Sequence, residues 1–141
     1  MSTGTNERGA DTSKTVVLTA AVSHGVWGLL AFFLLAACSV AYGTGGASRL
    51  GGLVGIVLIT LITLLLAKRS TVGARVQGSI LLVLWAAAIV LHEPGPSPLS
   101  AFTTPVDLFR FSADVPAILV LGLSALLVGG HSARRRTVAV T

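Results

Sequence analysis

Five side chains carry chemistry beyond packing: His24, His92, Glu93, Asp107 and Asp114. The last four fall between residues 92 and 114, and one imidazole with three carboxylates makes a donor set for a cation if that segment folds back on itself. Their spacing follows no metal-ligand motif, and solvated helix ends account for the same residues. His24 is the sole ionisable side chain expected at mid-depth of an apolar run. Such a group is by default a functional candidate, as a proton relay or as a ligand to a metal or haem. A neutral imidazole bonded to a neighbouring helix explains it equally, and a lone histidine builds no metal site. Neither a metal nor a cofactor is therefore expected.

Cys38 is the single cysteine, so no internal disulfide forms. With Leu35, Ala36 and Ala37 it matches a lipobox, in which the thiol accepts diacylglycerol. The apolar stretch before it runs about 20 residues, longer than the 7–15 of a signal h-region, and favours a buried thiol behaving as a small hydrophobe. No Gly-Xaa-Ser-Xaa-Gly, P-loop or Cys-Xaa-Xaa-Cys occurs. An intramembrane enzyme would need His24 paired with Thr60, Thr63, Ser79 or Ser124, and no spacing suggests a pair. The chain is expected not to be an enzyme.

The elements that would position these groups are membrane spans. The chain is 53% hydrophobic and 11% charged, against about 25% charged in a soluble domain. Its mean hydropathy is +0.88. The expected fold is an all-α integral membrane protein with four transmembrane helices in an antiparallel bundle. The spans cover about 16–42, 50–67, 72–91 and 115–130, within a single membrane domain at 16–130. Residues 1–15, rich in Ser, Thr and Gly, read as a disordered cytoplasmic tail, and 131–141 as a basic one. Gly43 to Ser48 and Lys68 to Thr71 form short turns, making consecutive spans neighbours.

The outer loop, 92–114, opens with Pro94, Pro96 and Pro98, which deny it helix at first. Thr104-Pro105-Val106-Asp107 then reads as a helix start: an N-cap, a proline at the first helical position and a capping-box Asp. A short interfacial helix is expected from about Pro105 to Ser112. Val106, Phe109 and Phe102 would share its apolar face, with Asp107 and Arg110 towards water. The alternative is an ordered loop whose phenylalanines cap the bundle.

Charge orients the whole. Arg8, Lys14, Lys68, Arg69, Arg75, Arg134, Arg135 and Arg136 lie on one set of span ends, with Glu7 and Asp11, giving net +6. Arg49 and Arg110, with Glu93, Asp107 and Asp114, give −1 on the other, and together these make the +5 of the chain. By the positive-inside rule both termini are cytoplasmic in a multi-pass protein of the cell membrane. The cations favour a bilayer with an anionic inner leaflet, at about 1 kcal/mol each. Because they flank spans and form no interleaved patch, no nucleic-acid partner is expected. The abundance of Ala, Gly, Val and Arg, with few lysines, suggests a GC-rich bacterial gene.

Small residues recur at helix-packing spacing: Ala21-Gly25, Ala37-Ala41, Gly51-Gly55, Ala74-Gly78 and Ala125-Gly129. In lipid, close backbone approach is what holds helices together. The expected function is that of a non-catalytic accessory or scaffolding subunit, joined to another membrane protein or to itself. One alternative is a small oligomeric transporter or channel lined by His24, Thr60, Thr63 and Ser79. Another is an outer-face metal- or ligand-binding sensor using His92, Glu93, Asp107 and Asp114.

Overall fold

The structure is a computed structural model that describes residues 5–91 and 105–138. It is helical throughout, with no strand among the described residues. Helix α1 spans Thr5–Gly43, α2 Gly46–Arg69, α3 Thr71–Val90, α4 Pro105–Phe111 and α5 Pro116–Val138, with one 3-10 turn at Ser112–Asp114. Three segments are long and apolar enough to cross a membrane: Thr12–Gly43, Gly46–Arg69 and Thr71–Val90. A fourth arises if Pro105–Asp114 and Pro116–Ser132, which bend by 79°, count as one span.

The turns are tighter than their composition suggests. Between α1 and α2 only Thr44 and Gly45 are non-helical. Gly45 and Gly46 adopt φ of 79° and 63°, a region that a side chain strains and glycine does not. Between α2 and α3 a single extended residue, Ser70, suffices, and its hydroxyl caps α3 by accepting from the Gly73 amide at 3.0 Å. Pro116 opens α5, where its missing N–H costs nothing.

The helices run past the expected spans at both ends. The segment expected to be a disordered tail is helical from Thr5, and α5 continues to Val138 through most of the expected basic tail. A long apolar helix supplies the nucleus, and extending it by a residue costs far less than starting one.

Adjacency in sequence does not by itself decide how closely two helices pack. Helix α3 packs most extensively on α5 and α1, and α1 on α2, whereas α2 and α3 touch less despite their one-residue connection. The reason is the face that α3 presents: Gly73, Ala74, Gln77, Gly78 and Leu81 are all buried, and they meet α1 and α5. A core of Phe32, Leu35, Leu81 and Ile118 fills the space between these helices. The outward surface is apolar, with Leu50 68%, Val83 66% and Leu127 67% exposed. In water those positions would be unfavourable by roughly 1.5–3 kcal/mol each; in hydrocarbon they are at home.

Helix α4 forms where the proline and capping pattern placed it, but its apolar face differs. Phe109 is half-buried and meets fully buried Phe32 with ring centroids 5.8 Å apart, and Phe111 also packs on the core. Val106 is 59% exposed and does not share that face. With one wall of the helix against the bundle, the phenylalanines cap it. Thr104 and Phe102 lie outside the described residues.

Candidate functional site

Of the three buried polar residues among those described, Ser112 sits in the 3-10 turn, and Thr63 and Gln77 lie where α1, α2 and α3 meet. Gln77 and Thr63 are 0% exposed. The Trp27 indole N–H donates to the Thr63 hydroxyl at 3.0 Å, and the Gln77 amide nitrogen donates to the Thr63 backbone carbonyl at 2.9 Å. One threonine thus receives a bond from each of the other two helices. The approach is permitted by Gly28, where a Cβ would lie 3.2 Å from the Gln77 Cα.

His24 lies one helical turn before Gly28 and packs its ring against Gly73, one turn before Gln77. It therefore stands beside the first turn of α3, close to the Lys68-Arg69-Ser70 end. Its Nδ1 is 2.8 Å from the Ala20 carbonyl, an acceptor, so Nδ1 carries the proton and donates it. In the neutral ring Nε2 is then a bare lone pair, buried without a partner; Gln77 Oε1 is in the same condition. A buried polar atom left unmatched costs about 1–3 kcal/mol, so both stand out. Trp85 Nε1 is a third such atom, further along α3.

Of the residues expected to line a polar path, Thr63 belongs to this cluster and Ser79 does not. Ser79 is exposed and lines an apolar groove of about 490 Å³ with Gly25, Val26, Leu29, Ile80, Val83 and Leu84, on a different face of α3 from Gln77. Of the outer-face set, His92 and Glu93 lie outside the described residues. Asp107 is half-buried on α4, and Asp114 is exposed at the end of the 3-10 turn. Among the described residues no three His, Cys, Asp or Glu side chains come together as a metal site would require.

The small residues divide by helix face. Gly55 opens a notch for the Cys38 sulfur, and a Cβ there would lie 2.5 Å from Sγ. Leu35 and Ala36 are fully buried in a continuous helix, the placement of a packed thiol. Gly51, expected to pair with Gly55, has open space around it; its neighbour Gly52 makes the contact, against the Cys38 carbonyl and the Tyr42 amide. A four-residue spacing shifts by 40° from the next helix row, which suffices to turn Gly51 outward. Gly25 faces Val76 and Ile80 at 3.6 Å. Ala74 meets Gly129, Gly78 meets Gly122 and Leu126, and Ala125 is fully buried.

Gln77, Gly28, Gly52 and Gly122 were not singled out from the sequence. A lone glutamine in an apolar run was the available signal, since a polar group in hydrocarbon must find a partner. Compared with known proteins, no family model, no curated sequence and no solved structure matches this chain.

Proposed function

We propose that this chain is a non-catalytic accessory or scaffolding subunit of a membrane complex, four-span and antiparallel, with its basic end in the cytoplasm. The observation that carries this reading is the bonding at Thr63: its hydroxyl accepts from the Trp27 indole of α1 and its backbone carbonyl from the Gln77 amide of α3, with Thr63 and Gln77 fully buried. A bundle closed in this way offers no wetted interior for substrate, and its work falls to its surfaces. Exposed Gly51, with Val54 and Leu58 one and two turns on, gives α2 an outward strip open to a neighbouring helix. The chain's helices would then lie in the cell membrane of a bacterium, with the arginine-rich end of α5 inside. Purification in mild detergent tests the reading: co-elution of a fixed membrane partner, or a defined homo-oligomer, is expected. A clean monomer would end it.

A second reading has one observation in its favour. Bare His24 Nε2 and Gln77 Oε1 stand a helical turn apart on the α1–α3 seam, and a proton-coupled transporter uses such atoms. It predicts pH-dependent flux in proteoliposomes that His24→Ala abolishes while the fold survives; flux equal to that of empty liposomes would exclude it.

A further inference from the structure

A separate concavity opens at the end of the bundle where α2 finishes and α5 emerges. It encloses about 530 Å³ and is lined by Lys68 of α2 with Leu127, Val128, His131, Ser132 and Arg135 of α5. Lys68, His131 and Arg135 are exposed, so their heads reach water, and exposed Leu127 with half-buried Val128 adds an aliphatic side. His131 and Arg135 are one turn apart and share a helix face, opposite a lysine from another helix. The Ser132 hydroxyl donates to the Val128 carbonyl at 3.0 Å, which leaves the donors of the cavity to the cations.

Among the described side chains, no carboxylate lies close to that charge along the chain. Of the carboxylates whose side chains are described, Asp107 and Asp114 both precede α5, and Asp114 is separated from His131 by about 25 Å of helix. Two fixed cations on different helices, beside an aliphatic surface, match a group that is anionic at one end and aliphatic at the other.

We propose that this cavity binds the phosphate headgroup of an anionic membrane lipid, Lys68 and Arg135 holding the phosphate and Leu127 and Val128 receiving the first acyl carbons. Arginine supplies a planar fork to two phosphate oxygens and lysine a point charge. A free phosphate would use the same cations but gain nothing from the two aliphatic side chains, which is why the lipid is the better occupant. The site rests on the membrane placement of the helices and not on the subunit reading, so a monomer would carry it equally well.

Native mass spectrometry of the full chain in mild detergent, with phosphatidylglycerol or phosphatidylcholine added, tests it. Phosphatidylglycerol should be retained in preference, and Lys68→Gln with Arg135→Gln should lower its retention about tenfold or more. Arg69→Gln with Arg75→Gln removes the same charge outside the cavity and should leave retention within about twofold. Lys68→Arg with Arg135→Lys keeps charge and should keep the lipid, which separates lost binding from a lost fold. Equal retention of the two lipids, or equal losses in the two charge-removing variants, would overturn the site. Displacement by millimolar inorganic phosphate would assign it to a soluble phosphate group and overturn the lipid.

Discussion

The seam joining α1, α2 and α3 and the seam joining α3 to α5 hold helices together by different means. At the first, Trp27 and Gln77 direct hydrogen bonds onto Thr63 from two sides. At the second, the contact is nearly all carbon: Ala74 against Gly129, and Gly78 against Gly122 and Leu126. The second seam is the most extensive contact between any one pair of helices. In a bilayer the apolar effect gives little between helices, so each seam must draw on either directional bonds or close backbone approach. The polar seam fixes register, since a one-residue slide would strand Gln77 and Thr63. The smooth seam tolerates sliding but not added volume.

Adding volume to the smooth seam should have the largest effect. A Cβ on Gly78 would lie 2.8 Å from Leu126 Cγ and 2.9 Å from the Gly122 carbonyl oxygen. Gly78→Val should therefore cost about 3 kcal/mol, the upper end for overpacking, read by unfolding in mixed detergent micelles. A loss below ~1 kcal/mol would show that α5 simply moves away, and that the seam is loose.

The α1–α2 contact permits the same test with a built-in control. Gly52→Ala places a Cβ 2.5 Å from the Cys38 carbonyl oxygen, and should destabilise by about 2 kcal/mol. Gly51→Ala, one residue earlier and in open space, should be neutral or gain up to about 1 kcal/mol from helix propensity. Opposite signs at adjacent glycines would sharpen the picture of which face of α2 is inward; like signs would break it.

Gln77→Leu separates cohesion from function in the polar seam. It removes the bond to the Thr63 carbonyl and also the orphaned Oε1, two effects of opposite sign. Stability should change by about 1 kcal/mol or less. Loss of a cellular phenotype without loss of stability would move the account towards the transporter reading.

Much of this architecture was legible in the residues. Four apolar runs marked the helices, and Pro105 marked α4. Which face turned inward was not, because a helix in lipid is apolar on both sides and its pattern loses the contrast that an amphipathic helix shows. Hence Gly51 was expected where Gly52 packs, and Val106 was expected on the inward face that Phe109 does occupy. The level of His24, beside the first turn of α3, was not legible because α1 is longer than a membrane and length alone does not say which part is immersed. Gln77 and Trp27 find their partner on a third helix, 14 and 36 residues away, and no local spacing encodes that.

The claim beneath all of this is that the polar side chains of α1, α2 and α3 bind these helices to one another. A double-mutant cycle on Trp27→Phe and Thr63→Val, measured by reversible unfolding in mixed micelles, tests it without relying on either single loss. The account predicts a favourable coupling of about 0.6 kcal/mol, with ~1.7 kcal/mol as the ceiling for such bonds between membrane helices. Strict additivity of the two losses would contradict it.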